Sequence, residues 1–195
     1  MLSPARSPLL LRSASIASAH AMPLAELSAM SLDGELYPLA EAYASIAEPD
    51  TPALRALALH GILGNERIIA DRWSAAWVWG ALPRPPRVHT FCTRSEARVQ
   101  HELRLDVAIR EVVIDDGEIV AFGRARATSP LRTVLDLARS QEAYSESHYR
   151  GVLARLMDEA GLGLEACLAA LDSRPLPFTR LARERLRRAQ PAVTR

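Results

Sequence analysis

Two short segments constrain the fold of this chain more than any others, because each carries helix boundary residues beside strand-like sequence. The first is SAAWVWGALPRPP, residues 74–86, in which Ser74 can cap a helix and Gly80 can end it before a proline-rich turn. The second is ATSPLRTVLDLAR, residues 127–139, in which Ser129 precedes a proline that suits a first helical turn. Neither segment holds a catalytic group in a recognisable setting. The pair therefore favours a binding or regulatory protein over an enzyme.

Other helices are predicted from capping residues and apolar periodicity. Thr51 and Pro52 mark the start of a helix that should continue to about residue 63. Further apolar stripes follow residue 139 and predict two or three more helices. The last of them, residues 178–189, is expected to turn four apolar side chains inward: Phe178, Leu181, Ala182 and Leu186.

Strand patterns fill the middle of the chain. Alternating apolar residues predict strands at residues 87–93 and 102–108, and EVVI and EIVAF flank the turn sequence Asp115-Asp116-Gly117, which predicts a β-hairpin. Earlier, Pro38 places the ribbon ELYPLAEAYASI at a sheet edge, because proline has no N–H for a ladder. The predicted fold is α+β: a small, mostly antiparallel sheet of about four strands, with helices before it and a helical bundle after it.

Composition excludes several classes of protein. The chain has 24 basic residues and no lysine, which removes phosphate loops of the Walker type, Schiff-base enzymes and the usual lysine-containing nuclease core. No run of about 18 apolar residues exists, so no membrane span is predicted. Cys92 and Cys167 lack C-x-x-C spacing, which fits a reducing cytoplasm and predicts neither a disulfide framework nor a zinc site. No cofactor is predicted.

Polar clusters that could carry chemistry have simpler structural explanations. His89 and Cys92 are three residues apart in a strand, so a shared metal is not expected. The acidic group around Asp115 is explained by a turn and does not predict a metal-dependent hydrolase. Trp73, Trp77 and Trp79 could form a base-stacking platform, but their helical spacing favours core packing.

Arginines remain as candidate binding residues. Residues 175–195 contain six arginines and one acid, whereas residues 31–173 carry more acids than arginines. A basic surface of this kind can contact phosphates, although a solvated terminal helix and ordinary cross-strand pairing also explain it. The predicted phosphate contacts are Arg94, Arg98, Arg180, Arg183 and Arg187.

The order of these motifs resembles the AbiEi-type antitoxin family of type IV toxin-antitoxin systems, especially actinobacterial members. The resemblance covers about residues 32–139, and its most family-like elements are Ser74-Ala75-Ala76 with Gly80, then Thr128-Ser129-Pro130 and Asp136-Leu137-Ala138. It implies a winged-helix DNA-binding region followed by an α/β antitoxin domain. Here ELSAMSLDGELYPL, residues 26–39, is similar to the last helix and wing, and the preceding helices are expected to be missing unless the N-terminal extension replaces them.

The sequence and the resemblance together predict four segments. Composition predicts a disordered extension (1–21) and a basic C-terminal helix and tail (174–195), and the resemblance implies a shortened winged-helix-like segment (22–50) and an AbiEi-like α/β antitoxin domain (51–173). The resemblance implies a non-enzymatic, cytoplasmic transcriptional regulator that binds operator DNA and counteracts a toxin of the nucleotidyltransferase type. The alternative is a protein-interaction module of the same fold that has lost DNA binding.

Overall fold

A computed structural model describes residues 10–13, 21–96 and 104–190 of the chain. The elements in this part are β1 (Leu10–Ser13), β2 (Ala21–Met22), α1 (Leu24–Leu32), β3 (Leu36–Leu39), β4 (Ala42–Ser45), α2 (Pro52–Leu63), β5 (Ile69–Ala70), α3 (Arg72–Val78), β6 (His89–Arg94), β7 (Val107–Val112), β8 (Ile119–Phe122), β9 (Ala125–Thr128), α4 (Pro130–Arg139), α5 (Glu146–Glu159), α6 (Leu164–Asp172) and α7 (Thr179–Ala189). The predicted α+β class is confirmed. Among these helices, none has both the length and the apolar character needed to cross a membrane.

The larger sheet has the strand order β7-β6-β5-β9-β8. The strands β6 and β7, at one edge of the sheet, are parallel, and so are the inner strands β5 and β9. The pairs β5–β6 and β8–β9 are antiparallel. The sheet is therefore evenly mixed, with five strands where about four were expected.

The predicted hairpin at Asp115-Asp116-Gly117 is wrong. β7 and β8 lie at opposite edges of the sheet and do not pair. The acidic residues instead begin a single 3₁₀ turn, Asp116–Glu118, in which the Glu118 carboxylate accepts the backbone N–H of Asp115 at 3.0 Å. The hairpin forms at Gly123, which joins β8 to β9 and adopts a φ of 63° that favours glycine.

Two of the predicted helix caps are confirmed and one is wrong. Thr51 accepts the backbone N–H of Leu54 at the start of α2, and Ser129 accepts that of Arg132 at the start of α4. Ser74 does not cap α3, because that helix begins two residues earlier. The Ser74 side chain is buried and accepts the backbone N–H of Thr90 at 2.8 Å, so it fastens α3 to β6.

Helices pack against the larger sheet and against one another. α2 packs its buried leucines Leu54 and Leu59 with Phe91 and Ala127 of the sheet and with Trp77 of α3. α3 also packs against α4, and α4 continues into a bundle with α5, α6 and α7. The bundle has its own core, centred on Leu137, Leu153 and Leu186. The sheet thus positions α4, and α4 positions the three helices that follow it.

The N-terminal region forms a second sheet of order β2-β1-β4-β3. Pro38 lies in β3 at the edge of this sheet, as predicted. α1 precedes the β3–β4 hairpin, which is the element order expected for the last helix and wing of residues 22–50. Of the extension predicted to be disordered, Leu10–Ser13 pairs with β4 and Ala21 begins β2. The other residues of that extension lie outside the described part of the chain.

Candidate functional site

The outer face of α7 carries a row of charged residues that includes three of the predicted phosphate contacts. These residues line a shallow surface depression, and we call them the α7 arginine face: Arg180, Arg183, Glu184, Arg187 and Arg188. Arg188 pairs with Glu184 at 2.5 Å. Arg180 and Arg187 are exposed and have no ion pair with any residue that the structure describes. Two full positive charges are therefore presented to solvent.

The other three predicted phosphate contacts do not add to these two free charges. Arg183 is ion-paired with Asp172 of α6. Arg94 lies at the end of β6, where it is ion-paired with Asp116 of the 3₁₀ turn. Arg98 lies outside the described residues. The structure thus brings three of the five arginines together on α7, and pairing neutralises one of those three.

The inner face of α7 holds the helix in the bundle. Ala182 and Leu186 are buried, as predicted, and Leu181 is half-buried. Phe178 was expected to point inward, but 49% of it is exposed. It immediately precedes the helix and has a left-handed φ of 58°, so it does not continue the helical apolar stripe.

Arg185 is a buried arginine that the apolar pattern did not predict. This residue of α7 is 5% exposed, and its side chain contacts α5 and the end of α4. Its guanidinium donates to the Glu146 carboxylate at 2.6 Å and to the backbone carbonyl oxygens of Ala138 and Ser140. These carbonyls end α4, where backbone acceptors have no partner within the helix. Arg185 is thus a structural residue within a helix whose outer face is basic.

A second group of charges, at the junction of the sheet and α4, was also missed. The Asp136 carboxylate accepts from three arginines: Arg110 at 2.7 Å, Arg132 at 3.0 Å and Arg139 at 2.6 Å. Arg110 also donates to the buried carboxylate of Asp71. The only sequence indication was the spacing of Arg132, Asp136 and Arg139 on one helix. The contact of this helix with Arg110 depends on strand order.

The pKa values of the two buried carboxylates in this network are shifted in opposite directions. Burial alone would raise the pKa of Asp136, but the positive charges of Arg110 and Arg132 outweigh it and hold the pKa below its ordinary value. At Asp71 burial is dominant, and it raises the pKa despite the nearby Arg110. Asp136 is therefore the charged hub of the network.

The N-terminal segment has the opposite charge to α7. Residues 21–50 contain no arginine, lysine or histidine, and they contain six acids: Glu26, Asp33, Glu35, Glu41, Glu48 and Asp50. α1 has Glu26 as its single charged residue. Two of its leucines are largely exposed, Leu24 at 57% and Leu32 at 88%. This segment therefore has no cation with which to contact phosphate.

The remaining polar candidates are buried. Cys92 and Cys167 are free thiols, and burial raises the pKa of each. His89 is buried, and burial lowers its pKa. Within the described residues, His, Cys, Asp and Glu side chains form no group of three or more that could hold a metal ion.

The tryptophans lie in the core, as their helical spacing predicted. Trp73 is 1% exposed and Trp77 is 2% exposed, so neither can stack on a nucleic-acid base. Trp79 is half-buried, and its indole N–H donates to the backbone carbonyl of Thr128 at 2.9 Å. The alternative of a tryptophan stacking platform is therefore excluded.

No protein-family model and no curated protein matches the chain. A solved structure, that of the RV2827C protein from Mycobacterium tuberculosis, is similar to it at 16% sequence identity and a TM-score of 0.38. The similarity covers 88% of this chain and 71% of that protein. At this TM-score the similarity is too weak to support an inference about fold or function.

Proposed function

We propose that the protein is a non-enzymatic regulator of the antitoxin type, which contacts DNA phosphates through the α7 arginine face. The observation that carries the proposal is the pair of exposed guanidinium groups of Arg180 and Arg187, which have no ion-pair partner among the residues that the structure describes. They are seven residues apart, or about 10 Å along the helix. Each strand of B-DNA carries one phosphate per about 3.4 Å of helix axis, so two arginines at this separation can each reach a phosphate of one backbone.

This contact is electrostatic and does not depend on base sequence. Specific reading of bases needs arginine, asparagine or glutamine side chains in a groove, usually from a recognition helix. α1 occupies the corresponding place before the β3–β4 hairpin, but its polar side chains are limited to Glu26, Ser28 and Ser31. We therefore expect the protein to bind its own upstream DNA and unrelated duplexes with similar affinity. A regulator of this kind, acting against a nucleotidyltransferase-type toxin, would work in the cytoplasm.

The test is binding of the purified protein to its own upstream DNA and to a scrambled duplex, each at low and near-physiological salt. We expect comparable affinities for the two duplexes and a steep loss of both as salt rises. If the protein bound only the upstream DNA tightly, it would recognise specific bases, and the sequence-independent contact proposed for α7 would not account for the binding. Absence of binding to both would contradict the proposed contact.

A second candidate is a protein-interaction module, which the N-terminal segment favours. Its six acids repel phosphate, and exposed Leu24 and Leu32 offer apolar contact area on α1. On this alternative, the N-terminal segment binds a partner such as the toxin, and α7 is a solvated helix. A stable complex with that toxin, together with no salt-dependent DNA affinity, would favour the module over the DNA-binding regulator.

A further inference from the structure

A cleft of about 160 Å³ lies between α4, the 3₁₀ turn and the segment that joins α6 to α7. Its charged lining consists of Arg132, Arg139 and Arg174, with Glu118 as the one acid among them. The Asp136 carboxylate that holds the first two arginines lies behind them and is 1% exposed. Arg174 also pairs with Asp115, which does not line the cleft, at 3.2 Å. The cleft wall itself therefore carries three guanidinium groups and one carboxylate, and two further carboxylates lie behind or beside it.

Two of these arginines have hydrogen-bond donors to spare. Arg132 donates from Nε and Nη1, and Arg139 from Nε and Nη2. Within the described residues, the Nη2 of Arg132 and the Nη1 of Arg139 have no acceptor. Neither atom is among the buried polar atoms that lack a partner, so both are in contact with solvent. The cleft thus offers N–H groups that a bound anion can use without breaking an existing bond.

Glu118 occupies the centre of this charge group. Its carboxylate accepts from Arg132 at 2.8 Å and from Arg174 at 3.0 Å, as well as from the backbone of Asp115. Burial would raise its pKa, but the backbone bond and the two arginines hold the pKa below its ordinary value. The Glu118 carboxylate thus occupies donors of Arg132 and Arg174 and competes with an external anion for them.

The rest of the lining indicates the size and character of the ligand. Leu131, Leu135 and Leu176 supply apolar surface, and Ser129 and Ser173 supply hydroxyl groups. A carboxylate ligand offers only two oxygens, and the Glu118 carboxylate already accepts hydrogen bonds from the arginines of the cleft. A phosphate monoester has three terminal oxygens and about two negative charges at neutral pH, so it can accept from several guanidinium groups at once.

We propose that this cleft binds the phosphate group of a small phosphomonoester, with the apolar part of the ester against the three leucines. The site is distinct from the α7 arginine face and does not depend on it for function. It would make the protein responsive to a phosphorylated small molecule. Glu118 sets the affinity by competing with the ligand for Arg132 and Arg174.

The experiment is a titration of the ¹⁵N-labelled protein with phenyl phosphate, followed by amide chemical shifts at constant ionic strength. Benzoate and inorganic phosphate are titrated in parallel. We expect saturable shifts at the amides of Glu118, Arg132 and Ser173 with phenyl phosphate, and weaker binding of the other two probes. Inorganic phosphate lacks the apolar part, and benzoate lacks the third oxygen and the second charge.

Three variants make the test specific. Arg174→Ala should weaken the binding of phenyl phosphate about tenfold, since a charge-assisted hydrogen bond is lost from a half-exposed site. Glu118→Gln should strengthen it several-fold, because the amide keeps an acceptor for Asp115 but no longer competes as an anion. Arg150→Ala, an exposed arginine of α5 that does not line the cleft, should leave the affinity unchanged.

The proposal fails if the shifts rise linearly with ligand concentration, or if sodium chloride at equal ionic strength reproduces them. It also fails if Glu118→Gln binds phenyl phosphate no more tightly than the natural protein does. Arg187→Ala separates this site from the proposed DNA contact. That variant should retain the affinity for phenyl phosphate whether or not it retains the affinity for DNA.

Discussion

Arg185 lies over the ring of Tyr149, with its Cζ atom 3.6 Å from the ring centroid. Tyr149 is fully buried in α5, and the same guanidinium bonds to backbone carbonyls at the end of α4. One side chain of α7 therefore combines a cation–π contact with the capping of another helix. This explains how a helix with five arginines among its 11 residues still packs into the bundle.

Replacement of this arginine should destabilise the protein. We expect Arg185→Ala to lower the free energy of unfolding by about 2 kcal/mol or more, because buried carbonyls lose their donor and Tyr149 loses its cation. Arg185→Lys should recover part of the loss, since lysine keeps the charge but lacks the planar set of donors. Chemical denaturation measures both effects.

Arg188→Ala on the same helix is the matched control. Arg188 is exposed and pairs with Glu184 on the surface, so its removal should change the free energy of unfolding by no more than about 0.5 kcal/mol. Equal effects of Arg185→Ala and Arg188→Ala would show that the buried contacts of Arg185 contribute little to stability.

Asp136→Asn tests the buried charge network. The substitution removes the carboxylate that three arginines share, and we expect a loss of about 3 kcal/mol in the free energy of unfolding near neutral pH. The pKa of Asp136 is lowered in the folded state, so its stabilising effect is present above the unfolded pKa of about 3.9. The difference between variant and natural protein should therefore shrink as the pH falls below about 4.

Asp172→Asn provides the comparison for that experiment. Asp172 pairs with Arg183 on the surface, and its loss should cost at most about 0.5 kcal/mol. If Asp136→Asn were as mild as Asp172→Asn at every pH, the network would not be a major source of stability.

His89 should make stability depend on pH. Burial lowers its pKa in the folded state, and its Nδ1 is buried without a partner in the described structure. The folded state therefore binds a proton less readily than the unfolded state, whose histidine has a pKa of about 6.5. Stability should fall as the pH drops from 6.5 through the lowered pKa.

His89→Gln cannot take up that proton, so its unfolding free energy should vary less between pH 7.5 and pH 5. Denaturation curves collected at intervals across this range give the comparison. Parallel pH profiles for the two proteins would remove His89 as the source of the dependence.

The arginines predicted to contact phosphate should not be equivalent. Arg94 is ion-paired with Asp116, whereas Arg187 is free among the described residues. We expect Arg187→Ala to weaken DNA binding at low salt and Arg94→Ala to have a much smaller effect, because contact with a phosphate must first break the existing pair. Fluorescence anisotropy with one duplex measures both variants. Equal losses would mean that the Arg94 pair opens readily and that the sheet edge is part of the interface.

Local patterns predicted α2 and α4 well because their boundaries are encoded by neighbours in sequence. Thr51 and Ser129 each accept a backbone N–H within three residues, and a proline follows each cap. Ser74 has the same side-chain type but is used differently, since its partner Thr90 lies in another element. Capping residues predict a helix start only when no distant partner uses their hydroxyl group.

Long-range pairing was not predictable from local sequence. The turn at Asp115 suits a hairpin, yet β7 pairs with β6 and β8 pairs with β9, which places the two strands flanking the turn at opposite edges. The same limit applies to the charge network, because Arg110 and Asp136 are brought together by strand order. Arg185 was missed for a different reason: apolar periodicity treats every arginine as solvated, and this one is buried against Tyr149.

The most direct test of the proposed DNA contact is the salt dependence of binding for three proteins: the natural chain, the double variant Arg180→Ala/Arg187→Ala, and the control Arg67→Ala/Arg84→Ala. The control removes the same charge from exposed arginines elsewhere on the surface. The slope of log K against log salt should fall in magnitude by about 2 in the α7 variant and remain unchanged in the control, since each phosphate contact contributes about 0.9. Equal slopes for all three proteins would contradict DNA binding by α7.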